Sequence, residues 1–296
     1  MADIQELNQA PSTLNLYLKA AFKRKPRISG QVLPQTQVRL NAARARRSEL
    51  SAYRRLCGFD KTGTLPLTYP HILAFPLHMQ LVVDPEFPFP LPGLVHIRNT
   101  IRQYRAIGNR ETMDITCYLQ GPRTAERGLE FDIVTRVTVN DQPVWESIST
   151  NLYRTATQHV AKKSATSTDA TPETQSETWT LPENLGIRYA KVSGDANPIH
   201  LHAGLAKLFG FSRAIIHGMW SKAHAMARLT EVLPTGPIQV EVSFKLPVML
   251  PATLQFSYLR KGGRTQFWLR DEENVKPHLV GSVEKLPENT EARFIL

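Results

Sequence analysis

The stretch IQVEVSFKL at residues 238–246 alternates without a break. Ile238, Val240, Val242, Phe244 and Leu246 share one face, and Gln239, Glu241, Ser243 and Lys245 the other. A period of two is the mark of a half-buried strand. Three further segments of this kind follow: TLQFSYL, TQFWLR and PHLVGSV. Ahead of them, from near His217 to just before Pro234, Met219, Ala223, Met226 and Leu233 recur at helical spacings and form one apolar stripe. A helix with a single apolar stripe, followed by four antiparallel strands, can bury that stripe only if the sheet wraps around the helix. This requirement constrains the fold more than any other feature.

The first half follows the same plan. LTYPHILAFPLHMQLVV at 67–83 reads as a short apolar helix interrupted by proline, and DPEFPFPLPG at 84–93 must be extended loop. From about 94 to 153 the period becomes two. Met113, Ile115, Cys117 and Leu119 alternate with more polar neighbours, as do Leu129, Phe131, Ile133, Val137 and Val139. The chain therefore reads as an α+β protein built from two copies of one unit. The expected divisions are a basic N-terminal extension at 1–66, a first unit at 67–155, a Ser/Thr/Ala-rich linker at 156–178 and a second unit at 179–296.

Charge is concentrated in the extension. Residues 1–66 hold 12 Lys or Arg against 4 Asp or Glu, so +8 of the net +10 lies there. The runs KRKPR (23–27) and ARARR (43–47) suit either a solvated arm or a surface for anionic partners. No aromatics are interleaved with these bases as on a single-strand nucleic-acid platform, and no nucleic-acid partner is expected. Two cysteines, Cys57 and Cys117, are too few for a disulfide framework. With no signal-peptide core and no membrane-length apolar run, a cytoplasmic protein is expected.

The chemistry is concentrated in YAKVSGDANPIHLHAGLAKLFGFSRAIIHGM at 189–219. Asn197 followed by Pro198 is a helix-start signature, and Gly210 a reasonable stop. Asp195 precedes this start and His200 falls on its first turn, so carboxylate and imidazole can converge on one water, as proton transfer requires. Gly218 stands at the tip of the second helix, where an unpaired N–H and the helix dipole can hold a developing oxyanion. The alternatives are a metal site or a turn and cap with incidental histidines. Against a metal, His200 and His202 point to different faces and no cysteine joins them. His202 reads as structural or solvent-facing. A serine nucleophile lacks its Gly-x-Ser-x-Gly elbow.

Tyr189 to Ala206, followed by GFSRAIIHGM, resembles the signature of the MaoC-like (R)-specific enoyl-CoA hydratases, hydratase type 2. The resemblance implies a hot-dog fold, an antiparallel sheet wrapped around one helix, here as two tandem hot-dog units with the catalytic residues in the second. It implies Asp195 and His200 as the catalytic pair, Asn197 and Tyr189 in support, and Gly218 as the oxyanion N–H. Phe244, His217 and His96 would contact substrate. His96 lies in GLVHIRNTI, similar to the family's GLVHG strand but with Ile97 where glycine is common. With no Asp-x-Asn-Pro-x-His in the first unit, one active site per chain is expected, and no acid stands ready to work with His71 or His78. The implied reaction adds water reversibly to a trans-2-enoyl thioester, carried on CoA or on an acyl carrier protein, with no cofactor or metal. A non-catalytic acyl-binding module and a thioesterase are the competing classes, and a homodimer is an assembly open to the chain.

Overall fold

A computed structural model describes residues 3–22, 32–154 and 175–287. The first unit contains β2 (Gln37–Ala43), a central helix α3 (Tyr69–Val82), β3 (Leu94–Gln103), β4 (Met113–Ala125), β5 (Gly128–Val139) and β6 (Gln142–Arg154). The second contains β7 (Gln175–Leu181), a central helix α6 (Gly218–Arg228), β8 (Ile238–Phe244), β9 (Ala252–Lys261), β10 (Arg264–Asp271) and β11 (Pro277–Lys285). Strand order is β2-β4-β5-β6-β3 in the first and β7-β9-β10-β11-β8 in the second, so the two units share one topology. They join where β3 runs antiparallel to β8, with Ile101 opposite Val240 and Arg98 opposite Ser243. The result is one eleven-stranded sheet carrying two helices, the paired hot-dog architecture.

The period-two segments are strands as expected. Ile238, Val240 and Val242 are buried and Phe244 half-buried, but Leu246 lies beyond the strand end and is exposed. On α6, Met219, Ala223 and Met226 are buried against the sheet. α3 carries Pro76 internally, and its lining is apolar enough to hold it in the core. Phe87 and Phe89 from the proline-rich loop are fully buried and pack on Phe131.

Three expectations need correction. The N-terminal segment is not simply a solvated arm: β1 (Ile4–Leu7) pairs in parallel with β2, α1 (Thr13–Phe22) crosses between them, and α2 (Arg47–Cys57) packs on the second unit's helices. Of the two basic runs, KRKPR lies outside the described residues, whereas ARARR spans the end of β2 and the start of α2, where Arg44 bonds Thr112 and Arg46 pairs with Glu49. The linker's described end, 175–178, is already strand β7, because Trp179 and Leu181 need a buried face there. The helix read from Asn197 to Gly210 is broken into a 3₁₀ turn, Pro198–His200, and a short α5, Ala203–Lys207, leaving Leu205, Leu208 and Phe209 exposed. Among the described residues no helix is long and apolar enough to cross a membrane.

Candidate active site

The site lies in the second unit, in the segment between β7 and α6. Helix α4 (Leu185–Ser193) ends at Gly194, whose φ of 75° reverses the chain. Asp195 follows, its N–H donating to Ser193 Oγ (3.2 Å) and its Oδ1 accepting from the N–H of Asn197 (3.2 Å). Asn197 Oδ1 in turn accepts from Ile199 N–H (3.4 Å) and starts the 3₁₀ turn that presents His200. Gly186 lets α4 lie directly on this turn, since a methyl group there would overlap the carbonyl oxygen of His200.

His200 Nδ1 lies 2.7 Å from the carbonyl oxygen of Ile215. A carbonyl only accepts, so Nδ1 carries the proton and Nε2 is left with a free lone pair. By the same reasoning His217 Nε2 donates to the main-chain oxygen of Asp195 (2.9 Å) and lies 3.9 Å from Oδ2. The rings of His200 and His217 stack at 3.7 Å, and Tyr189 packs on His217 at 4.8 Å. Donor atoms of Asp195, His200 and His217 all fall within 4.8 Å of one another, a spacing that a cation could use. However, one nitrogen of each ring is committed to a main-chain carbonyl, which leaves one apiece.

Gly218 opens α6, and its cap residue His217 makes no side-chain cap bond, so no side chain of the cap covers the positive end of the helix. A Cβ at Gly218 would sit 2.9 Å from the Phe244 ring, so glycine here also admits that aromatic wall. His96 meets Phe244 edge-on at 5.0 Å. Thus Asp195, Asn197, His200, His217, Gly218, Tyr189, Phe244 and His96 form one continuous cluster. His202 stands apart and exposed, capping α5 through Nδ1. Beyond His96, His71 and His78 continue into the first unit, where His78 bonds the Thr135 hydroxyl (2.6 Å). Cys57 and Cys117 are buried, and burial raises both thiols' pKa values, which leaves them inert.

Residues 163–281 match the family model described as MaoC like domain. Over 279 residues the chain is 33% identical to 3-hydroxyacyl-thioester dehydratase X of Mycobacterium tuberculosis, covering 93% of this chain and 99% of that protein. The chain belongs to the MaoC-like dehydratases. A crystal structure of HtdX from the same organism superposes with a TM-score of 0.74 at 31% identity, over 84% of this chain and 100% of that one. A MaoC-like dehydratase from Phytophthora capsici shares the fold at a TM-score of 0.68 and 19% identity, over 87% and 97% of the two chains.

Electrostatics in this MaoC-like dehydratase favour a charged acid beside neutral imidazoles. Burial opposes ionisation of Asp195, but His217, His200, the Asn197 N–H and the Tyr17 hydroxyl together outweigh it and hold the carboxyl below its ordinary value. Burial lowers His200, and it pushes His217 down to about 3 and His96 to about 4. Tyr17 is the participant that sequence reasoning missed. Its hydroxyl donates to Asp195 Oδ1 at 3.0 Å from a helix 178 residues away. Ser12 before an apolar run could have signalled α1, but nothing in the local pattern points to its target.

Proposed function

We propose that this chain is an acyl-thioester dehydratase/hydratase, a hydro-lyase that reversibly adds water to a trans-2-enoyl thioester to give a (3R)-3-hydroxyacyl thioester. The observation that carries this reading is the pairing of the Asp195 carboxylate with the free Nε2 of His200 beside the uncapped tip of α6. Water held between Oδ2 and Nε2 attacks C3 as one of the two groups takes its proton. The electron pair moves through C2 to the thioester oxygen, where the Gly218 N–H steadies the negative charge. A proton returned from the pair to C2 completes the addition, and elimination runs the same steps in reverse. Phe244, Tyr189, His217 and His96 wall the acyl group near C3, with the first unit shaping the pocket. Asn197 holds the corner.

The excess of positive charge before residue 67 suits the phosphates of CoA or an acidic acyl carrier protein. Deleting residues 1–60 would not isolate that effect, because it would also remove β1, α1, β2 and α2. The test is loss of enoyl absorbance with short and long enoyl-CoAs, followed by stereochemical analysis of the product. Asp195→Asn and His200→Ala should each slow turnover about 10²- to 10⁴-fold with unchanged circular dichroism. Full activity in either variant overturns the assignment, and release of free thiol would mark a thioesterase instead.

A further inference from the structure

The proposed chemistry gives no task to Tyr17, although it touches the catalytic acid. The N-terminal segment supplies this residue through a parallel crossover: β1 pairs with β2 in the register Ile4 to Gln37, and α1 spans the two. Such a connection is built, not draped. Leu16 anchors α1 in the core at 2% exposure, the helix packs on α3, and Thr13 lies against Gly194, the residue that turns the chain into Asp195.

We infer that Tyr17 is a positioning residue of the active site, whose hydroxyl fixes the Asp195 carboxylate through Oδ1 and leaves Oδ2 to hold the reacting water. This rests on the hydratase reading. Asp195 is faced by Tyr17 from α1, Tyr189 from α4, His96 from β3, His200 from the 3₁₀ turn and His217 at the start of α6. Of these, only the Tyr17 hydroxyl donates a hydrogen bond to the carboxylate, alongside the backbone N–H of Asn197. His217 spends its proton on the main-chain oxygen instead. Hydrogen bonding to the charged form keeps a carboxyl ionised. Burial and the neighbouring Asp195 hold the Tyr17 phenol well above its ordinary value, so it stays a donor throughout the working range. The segment that reads as a basic arm thus completes the active site.

The test uses the full-length chain carrying Tyr17→Phe, which preserves the ring. Its kcat should fall roughly 10-fold, the loss typical of a hydrogen bond to a charged group, with KM within about twofold. The acidic limb of the kcat–pH profile should move to higher pH by about half a unit or more, because the acid loses a donor to its charged form. The ¹³C carboxyl titration of Asp195 should move the same way. Leu18→Ala, on the same helix but 51% exposed, should leave kcat unchanged. An unchanged kcat, or a lower kcat with neither the limb nor the carboxyl titration displaced, overturns the inference. If the wild-type chain hydrates no enoyl thioester, the functional reading fails on that result, and the carboxyl titration alone decides the role of Tyr17.

Discussion

Single atoms set the hydrogen-bonding roles at this corner. The main-chain carbonyl of Ile215 fixes the His200 tautomer, so Nε2 arrives as an acceptor rather than by chance. Burial lowers the imidazole, while His217, His200, Asn197 and Tyr17 overcome burial at the carboxyl, so both groups are unprotonated at neutral pH. The sign for catalysis follows directly. A group that must be unprotonated, with its pKa lowered, stays competent as pH falls past its ordinary value. The acidic limb of kcat/KM should therefore have its midpoint below about 6.5, the ordinary histidine value, and a profile measured from pH 4 to 8 checks this. Because the two groups interact, the midpoint belongs to the pair. A limb centred above 6.5 would mean that the Asp195 carboxylate outweighs burial at His200.

At the scale of elements, the site depends on how closely α4 meets the 3₁₀ turn. Gly186 is helical and needs no unusual backbone, so its significance lies in contact: His200's carbonyl occupies the space where a side chain would stand. Gly186→Ala should push the turn away and misplace His200. A displacement of about an ångström at a catalytic group costs on the order of 10²-fold in rate. The expected result is a kcat loss of roughly 10- to 100-fold with near-normal secondary structure, read by steady-state kinetics and circular dichroism. The two central helices also differ at their N-terminal tips. α6 opens with Gly218 and Met219, each of which carries a backbone N–H, whereas α3 opens with Tyr69, whose N–H is spent on the Pro66 carbonyl, and Pro70, which has none. The first unit has the frame without the donor, and no Asp-x-Asn-Pro-x-His segment precedes its helix.

For the whole molecule, the junction of the two units rests on a polar knot. Lys222 of α6 is fully buried, which holds its pKa well below the ordinary lysine value, and its Nζ donates to Asn99 O (3.1 Å), Asn99 Oδ1 (2.6 Å) and Val240 O (3.2 Å), reaching both joining strands. Asn99 then donates to Ser147 and Ser149 of β6. Lys222→Met keeps the stem but leaves those acceptors without their donor, so it should cost roughly 2–4 kcal/mol, measured by urea unfolding. A variant as stable as the wild type would show that the junction is held by apolar packing alone. Much of this architecture was legible in one dimension. Strict alternation at 238–244 and the stripe Met219, Ala223, Met226 define strands and a helix because each must turn one face to the core, and Asp195 and His200 are joined by only four residues of stiff corner. The broken helix after Asn197 was not legible, since propensity cannot see that α4 already fills the space beside it. Nor were Tyr17, Lys222 and the β1–α1 crossover: their partners lie 178, 123 and some thirty residues away in the chain. Sequence by itself determined the repeating unit and the closeness of Asp195 to His200, because periodicity and short covalent spacing are local. Only the tertiary structure decided what holds that corner and how the halves join, because those contacts exist once distant segments share one core.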